Sequence, residues 1–487
     1  MKYLLAVLLV VVSLEGFTQD VFDAVRVSSY QYSGTARFNA MGGAMGALGA
    51  DYSVISTNPG GLGLIRKNEF NITPSVRTNR STTDFNGYSS TDNIAGFKLE
   101  NIGLVINSPT DNKNGIIHWN WAFGYNRIAT FDQDYRTQNS NMSSSLLDIY
   151  AYDLNNPTPI DPNTINEVGG LSFGPALGWN TYAIDYDTSY LDYYHANPGY
   201  EGTQSQSIEV SGALSEYNFA VSGNLNNDLF FGASLNYTIY NYQYRSRYRE
   251  ELPNPATYTD LESYEVVNRL NISGNTVRFK AGLVYRVNDY MRMGIAYHAP
   301  TRFSNTDTYS TDMVTNFNTG ESYNSESPDG QFLYNTRTPG RFLADLGIIV
   351  KKSGLIGIEY EFVNYSRATF NDSEGTYDYS YENDENSDQL QATHNFRVGG
   401  EYRWNYFSFR GGFRYQMSPF RNRATMNPIL TYSTGVGFRF RNFYSDLTWM
   451  LTQQHRQNWM YDSAFIDPYT IQRNSATVML TIGFRWQ

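Results

Sequence analysis

The residues of this chain that could carry out chemistry are few and widely separated. The 487 residues include no cysteine, and the five histidines show no metal-binding spacing: His118, His195, His298, His394 and His455. No nucleophile motif of the Gly-x-Ser-x-Gly kind accompanies them. We therefore predict no enzymatic activity, no catalytic residue, no metal site and no cofactor. The histidines in or beside strands (118, 298 and 394) are interpreted as interfacial polar residues.

Charged residues recur at every second position within otherwise apolar runs. They are Arg278, Lys280, Arg286, Arg397, Glu401, Arg403 and Arg410. Successive side chains of a β-strand point to opposite faces, so each run has one charged face and one apolar face. An Arg or Lys facing lipid costs about 2–4 kcal/mol at the midplane, which places the charged face inside a barrel. These side chains either line a polar route or hold an inner plug, or they only stabilise a hydrated wall.

The same alternation predicts the elements that carry these residues. Fourteen runs are long enough to cross a membrane when tilted, and an even number suits a closed antiparallel barrel. They cover residues 67–78, 94–107, 115–131, 207–223, 229–244, 271–287, 290–303, 340–350, 354–370, 393–404, 407–417, 430–441, 444–454 and 475–486. The predicted fold is all-β, a transmembrane antiparallel β-barrel of about 14 strands.

The connections between these runs alternate between short and long. The short ones, rich in turn residues, are 107–114, 224–228, 288–289, 351–353, 405–406 and 441–442. The long ones are 132–206, 247–270, 305–337 and 371–392. Short barrel turns face the periplasm and long loops face outward. Both chain ends are therefore predicted to be periplasmic.

The start of the chain and its composition agree with export to an outer membrane. Lys2 precedes a short apolar run, which predicts a signal peptide over residues 1–18. Aromatic residues make up 16% of the chain, as expected for girdles at two membrane interfaces. The net charge of −11 argues against a nucleic-acid partner. We divide the chain into a signal peptide, a turn-rich segment over 19–66 and a barrel over 67–487 in the outer membrane of a Gram-negative cell.

The turn-rich segment carries the motif that is most informative about function. It contains Ser33-Gly34-Thr35-Ala36-Arg37, then Met41-Gly42-Gly43-Ala44, Leu48-Gly49-Ala50-Asp51 and Asn58-Pro59-Gly60-Gly61-Leu62. This segment resembles the N-terminal hatch of the FadL family of outer-membrane transporters for long-chain fatty acids and other hydrophobic molecules. The family usually has Asn-Pro-Ala at the last motif, where this chain has Gly60. The strand count and loop order agree with the family, and the high content of Asn and Tyr resembles that of members from Bacteroidota.

The resemblance implies passive uptake of hydrophobic small molecules such as long-chain fatty acids. The ligand would enter past the outer loops, reach a site in the barrel and leave sideways through the wall after the hatch shifts. Hatch roles fall on Asn58, Pro59, Gly60, Gly61 and Leu62. The surroundings would be outer-membrane lipid and lipopolysaccharide, and barrel-assembly machinery would act during biogenesis. The alternating aromatic end of the last strand resembles the signal that this machinery recognises.

The longest outer loop contains apolar residues where water would otherwise be the neighbour. Leu146, Leu147, Phe173 and Trp179 could form a groove that catches the ligand. Alternatively, they pack on one another and order the loop.

Fold resemblance does not choose among the roles that such barrels have. One alternative is a non-transporting barrel that binds protein partners in secretion or surface assembly. Another is a haemin receptor, a label that some relatives carry. A third, an outer-membrane lipase or protease, is disfavoured by the missing catalytic constellation.

Overall fold

The protein is described by a computed structural model. It describes residues 19–112, 114–167, 171–253, 259–351, 353–373, 375 and 377–487. The predicted signal peptide, residues 1–18, lies outside the described residues.

Strands dominate the described chain. They are β1 (Asn68–Phe85), β2 (Tyr88–Pro109), β3 (Ile116–Thr130), β4 (Gln133–Asn139), β5 (Ile184–Asp187), β6 (Asp192–His195), β7 (Thr203–Leu225), β8 (Leu229–Glu251), β9 (Leu261–Arg286), β10 (Met291–His298), β11 (Thr301–Phe317), β12 (Ser322–Glu326), β13 (Gly330–Thr338), β14 (Arg341–Val350), β15 (Gly354–Asn364), β16 (Thr369–Asp372), β17 (Ala392–Trp404), β18 (Phe407–Gln416), β19 (Ile429–Phe440), β20 (Phe443–Asn458) and β21 (Tyr469–Trp486).

Helices are short and lie outside the strands. The α-helices are α1 (Val21–Ser28), α2 (Ala36–Ala40), α3 (Leu146–Asn155), α4 (Phe173–Asn180) and α5 (Ser380–Gln389). The 3-10 helices are Tyr52–Ser56, Pro59–Leu64, Ile165–Glu167 and Tyr365–Arg367. Within the described ranges, no helix combines the length and apolarity needed to cross a bilayer.

The strands close into one antiparallel barrel, as predicted. The first strand, β1, pairs antiparallel with the last, β21, which seals the sheet. Counted over the described residues, the wall has fourteen strands, four of which are interrupted. The interrupted strands are β3 with β4, β10 with β11, β13 with β14, and β15 with β16, each pair running along the same neighbours. The short hairpin β5–β6 forms a sheet of its own.

The six predicted short turns are present, but several strands are longer than predicted. Turn residue Asn405, for example, takes the left-handed φ of +53° between β17 and β18. At the other end, β1 continues past the predicted end at Thr78 to Phe85. Parts of the predicted loops 247–270 and 305–337 are likewise paired strand. The prediction was wrong there because apolar alternation stops before backbone pairing does.

The outer surface of the wall is an apolar belt. Val277 is 60% exposed and Phe279 is 46% exposed, whereas the intervening Arg278 is 2% exposed. Aromatic side chains such as Trp404 and Tyr406 are exposed near the short turns, where an aromatic girdle belongs. This alternation places apolar side chains outside and charged ones inside, as in transmembrane barrels.

Residues 19–66, here called the N-terminal segment, pack against the inward side of this wall. The 3-10 helix Pro59–Leu64 contacts β7, β8 and β9, whereas α2 contacts β18 to β21. Side chains such as Phe38, Met45 and Tyr52 are fully buried. A large apolar and tyrosine-rich cluster joins the segment to the outer loops. The lumen is therefore filled by protein.

Candidate functional site

Asn58 ties the N-terminal segment to three wall strands. Its Oδ1 accepts a hydrogen bond from the Gly60 N–H at 3.0 Å and so begins the 3-10 helix Pro59–Leu64. Its Nδ2 donates to Asp345 Oδ2 at 2.8 Å and to the carbonyls of Leu283 and Ile295 at 3.2 and 3.3 Å. An asparagine is needed here because the position both accepts and donates.

The rest of this motif fits against wall glycines. A Cβ on Gly232 would lie 2.4 Å from the Pro59 carbonyl oxygen, and one on Gly60 would lie 2.7 Å from the Gly282 carbonyl oxygen. Gly61 approaches the segment's own turn at Gly46, and Leu62 is fully buried. Only glycine lets two backbones come this close.

Such close contacts surround the N-terminal segment. In the part of the chain that the structure describes, ten wall strands each place one glycine against it: Gly103, Gly124, Gly232, Gly282, Gly294, Gly347, Gly357, Gly399, Gly412 and Gly435. We call this set the glycine ring. This ring was not predicted, although the sequence carries a signal for it: Gly282 and Gly399 lie at the same inward-facing parity as Lys280 and Arg397.

Six of the seven predicted charged residues of the wall belong to ion-pair clusters, and all six except Arg403 are buried. Arg397, the largest fully buried side chain, pairs with Glu359 and, at 2.8 Å, with Glu361. Its guanidinium also lies 4.2 Å from the ring centre of Tyr32 in the N-terminal segment. Each of these charges has a partner, which is the condition for burial.

Two further clusters hold five more of the predicted charges. Glu401 accepts from Arg410 at 2.7 Å, from Arg403 at 2.6 Å and from Arg37 of the N-terminal segment at 3.0 Å. On the opposite wall, Glu216 accepts from Lys280 at 2.7 Å and lies 3.5 Å from Arg278.

Arg286 is separate from these clusters. It lies at the β9–β10 turn and pairs with the exposed Asp289.

Two histidines also hold the N-terminal segment. His118 Nε2 lies 3.0 Å from the Gly63 carbonyl oxygen, and His298 Nε2 lies 2.8 Å from that of Thr57. Both are buried, so the prediction that they are interfacial residues was wrong. Inward parity within their strands was the signal that could have shown this. Within the described ranges, no cluster of His, Asp and Glu is arranged to hold a metal ion.

The wall is not hydrogen-bonded along its full height. The ladder between β2 and β3 stops at Asn101 and Asn126, although β2 runs on to Tyr88 paired with β1. Beyond a bulge after Arg127, the chain continues as β4 beside β7. There Asn79 of β1 donates to the Asp132 carbonyl at 2.6 Å. We call this seam without a backbone ladder, between residues 88–100 of β2 and β4, the wall gap.

Side chains replace the missing ladder across the wall gap. Lys98 forms an ion pair with Asp132, and Arg127 Nε donates to the Leu99 carbonyl at 3.2 Å. Asp92 accepts from the backbone N–H and from Nε of Arg136, both at 2.9 Å. Side-chain bridges can open without unpairing a sheet, so this seam can part without loss of a backbone ladder.

A cavity of about 40 Å³ lies behind the wall gap. Glu100, Arg127 and Ile128 line it on the gap side, and Ser33 and Asn39 of the N-terminal segment line it from within. A water molecule needs about 10–15 Å³ of such space, so the cavity holds a few waters and no larger ligand. The route from lumen to gap is therefore closed.

The apolar residues of the long loop 132–206 pack inward. Leu147 of α3 is fully buried, and Leu146, Phe173 and Trp179 pack partly buried against the same cluster. The ring centres of Trp179 and Tyr193 are 5.8 Å apart. Trp179 also borders an open surface groove with Ile160 and Tyr186. The structure thus brings these four residues to one cluster that orders the loop.

Asp148 anchors the start of α3 in this loop. It accepts from the Ser145 N–H and from His195 Nε2, both at 2.8 Å, and from the Tyr200 hydroxyl at 3.2 Å. Burial acts to raise the pKa of Asp148, but these hydrogen bonds, led by that from His195, outweigh it and hold the pKa below its usual value. Because the pKa of Asp148 is lower in the folded state, its ionised carboxylate stabilises the fold at pH values above the unfolded-state pKa of about 3.9. This stabilisation is lost as the pH falls through the folded-state pKa.

We therefore expect the α3 loop to loosen below about pH 4 and Asp148→Asn to loosen it at pH 7. Losing a helix-capping contact of this kind lowers the local free energy of unfolding by about 1 kcal/mol. The open state is then about fivefold more populated, and amide exchange is faster by the same factor. The measurement is amide hydrogen exchange of peptides covering α3, corrected for intrinsic rates. Asp192→Asn, an exposed change in β6, is the control. Equal exchange in both variants at pH 7 would contradict the assignment.

Comparisons with known proteins agree with this architecture at the level of fold. No family model matches the chain, and no curated protein is significantly similar to it. A solved FadL homologue from Pseudomonas aeruginosa matches with a TM-score of 0.55 at 13% identity, over 93% of this chain and 99% of that one. The chain has the same barrel fold. The Pseudomonas putida toluene transporter TodX matches with a TM-score of 0.54 at 12% identity, over 94% of this chain and 100% of that one. The monoaromatic hydrocarbon channel CymD matches with a TM-score of 0.50 at 11% identity, over 94% and 99%.

Proposed function

We propose that this protein is an outer-membrane transporter for the passive uptake of hydrophobic small molecules. The observation that carries the proposal is the wall gap, a seam without a backbone ladder that lies beside the cavity lined by the N-terminal segment. In this proposal the N-terminal segment is the hatch, the short turns and both chain ends face the periplasm, and the lateral route opens between β2 and β4.

A lateral route suits an apolar cargo on physical grounds. Each buried CH₂ group gains about 0.8 kcal/mol over its exposure to water. A molecule that leaves through the wall passes directly into lipid and avoids this cost. No energy source is needed, because the cargo moves down its own gradient of concentration.

The closed cavity behind the gap means that transport requires movement. The hydrogen bonds of Asn58 and the ion pair of Arg37 hold the hatch, whereas Lys98 and Arg136 hold the gap. Opening the gap breaks two ion pairs whose cationic side chains are 23% and 66% exposed and whose carboxylates are 13% and 14% exposed. It breaks no backbone ladder, so we expect the gap to open before the rest of the wall.

The proposed cargo is a long-chain fatty acid or a molecule of similar apolarity. Among the solved barrels of this fold, TodX is described as a toluene transporter and CymD as a monoaromatic hydrocarbon channel. Those descriptions favour apolar cargo in general. The direct test is to identify lipids that co-purify with the protein by mass spectrometry and to measure fatty-acid uptake in a deletion strain. Unchanged uptake and no bound lipid would contradict the proposal.

Closing the wall gap covalently should stop uptake. The chain has no cysteine, so Asp92→Cys with Arg136→Cys can be joined by a reducible methanethiosulfonate cross-linker. We expect cross-linking to lower uptake of labelled fatty acid at least fivefold, since the two strands can no longer separate, and a reductant to restore it.

The control pair is Thr82→Cys with Thr91→Cys, whose hydroxyls are 3.0 Å apart on a closed part of the β1–β2 ladder. Cross-linking there should leave uptake unchanged. Equal inhibition by both pairs would show that the wall gap is not the route.

A second candidate function is supported by the outer loop surface. The β5–β6 hairpin presents Tyr190 at 82% exposure and Leu191 at 59% exposure, and Tyr182 nearby is also exposed. Exposed aromatic residues at a loop tip suit a protein partner. A stoichiometric partner that is lost on Tyr190→Ser, with unchanged fatty-acid uptake, would favour this function.

A further inference from the structure

A second and larger cavity, of about 410 Å³, opens at the end of the barrel that carries the short turns. The turn Leu48–Ala50 of the N-terminal segment forms one side of it, and the β14–β15 turn forms another. We call it the rim cavity. Its volume lies within the usual range of small-molecule sites, about 300–1,000 Å³.

The charged side chains that line the rim cavity are all cationic among the described residues. They are Arg37, Arg292, Lys351 and Arg403. Arg292 Nη1 donates to the Leu48 carbonyl at 3.1 Å, while its Nε is buried without a partner. Its charged neighbours are Arg286 and Arg66. Neither Arg292 nor Lys351 pairs with a carboxylate of the described chain, so their charges are available to a ligand.

The neighbouring carboxylate cannot neutralise this site. Glu401 is shared by Arg37, Arg403 and Arg410, and of these Arg410 also pairs with Asp446 at 2.6 Å. Asp51 also lies close enough to act on the charge of Arg37, so these three guanidinium groups meet three carboxylates, and Arg292 and Lys351 supply the positive excess. The cavity keeps a positive excess, which favours an anion.

Apart from Ser353, the remaining side chains that line the rim cavity are apolar. Leu48, Ile349 and Leu355 face it. Leu355 and Gly354 also border a shallow depression on the outer wall, which is flanked by Tyr402 and Phe409. A ligand with one charged end and an apolar body matches both halves of this lining.

We propose that the rim cavity binds an anionic amphiphile. Its carboxylate or phosphate head would lie at Arg292 and Lys351, and its alkyl chain would lie along Leu48, Ile349 and Leu355. Charge-assisted hydrogen bonds from guanidinium and ammonium groups give the head its affinity. The site is separate from the wall gap and does not depend on uptake.

The test uses the purified protein in a maltoside detergent and a diazirine-bearing dodecanoic acid, with the matching dodecanol as the neutral probe. We expect the acid to label peptides that contain Leu48 or Ile349 to Leu355 and the alcohol to label them at least fivefold less. Lys351→Gln and Arg292→Gln should each lower labelling by the acid at least fivefold. Arg441→Gln, at the β19–β20 turn of the same rim, is the matched control and should change nothing.

A competition arm distinguishes the sources of the head group. Excess decyl phosphate that blocks labelling points to lipid phosphates as well as carboxylates, and failure to block restricts the site to carboxylates. Each variant is first shown to be folded by the migration of the unheated barrel in electrophoresis. Equal labelling by acid and alcohol, or acid labelling that survives both substitutions, would overturn the proposal. Neither result depends on whether the protein transports fatty acids.

Discussion

Gly412→Val is expected to displace the N-terminal segment and make the outer membrane leaky. A Cβ at position 412 would lie 2.2 Å from the Gly42 nitrogen and 2.6 Å from the Met41 carbonyl carbon. The β18 strand is hydrogen-bonded on both sides, so the wall cannot retreat and the segment must move. Overpacking of this kind costs about 1–3 kcal/mol, and about 1.4 kcal/mol shifts an equilibrium tenfold.

The measurement is the rate at which periplasmic β-lactamase hydrolyses nitrocefin supplied outside intact cells. We expect roughly a tenfold increase for Gly412→Val. The matched control is Gly411→Val, one residue earlier on the same strand, where the added side chain meets nothing within 4 Å. Equal leakage from both variants would indicate a general wall defect, and no leakage from either would show that the segment does not seal the barrel.

The glycine ring explains how a segment of so many turns can fill a barrel tightly. Backbone-to-backbone contacts, such as that between Gly357 and the Ala44 carbonyl, remove the layer of side chains that normally separates wall and contents. The fit is set by shape, and polar groups such as Asn58 and His298 then fix the orientation. A seal of this kind is closed by default, and hydrogen bonds such as those from Arg414 to the segment carbonyls hold it in place.

The barrel could be predicted from the sequence because the two faces of its wall lie in different surroundings. Alternation such as that from Val277 to Tyr285 is forced by lipid outside and a charged interior, so it marks both the strand and its orientation. Turn residues such as Asn405 located the short connections. Where β1 rises above the lipid, its outward residues become polar and the signal ends at Thr78, although pairing continues to Phe85.

The candidate site could be predicted only in part, because its contacts join distant positions. The motif at Asn58 was recognisable, but its partners Leu283, Ile295 and Asp345 follow from the register of three strands. The wall gap depends on where β3 leaves β2, and local propensity does not determine such tertiary pairing. The inward packing of Leu147 is a tertiary outcome of the same kind.

Glu401→Gln is expected to cause the largest loss of stability of any single change in the charged clusters. The carboxylate is 1% exposed and accepts from Arg37, Arg403 and Arg410. Glutamine keeps the volume but removes the charge, which leaves guanidinium groups without enough anions around them. Removing one partner of a buried ion pair costs about 3–5 kcal/mol. Because Arg37 belongs to the N-terminal segment, part of this cost falls on the seating of the segment.

The measurement is the urea concentration at which the purified barrel loses its folded migration in electrophoresis. Asp289→Asn is the control, since it removes the partner of Arg286 at an exposed position, where an ion pair contributes about 0–1 kcal/mol. The double variant Arg37→Gln with Glu401→Gln distinguishes the contribution of the wall from that of the N-terminal segment. If Glu401 acts through Arg37, the double variant loses less stability towards urea than the sum of the losses in the two single variants. An additive loss would place the role of Glu401 in the wall alone, with Arg410 and Arg403.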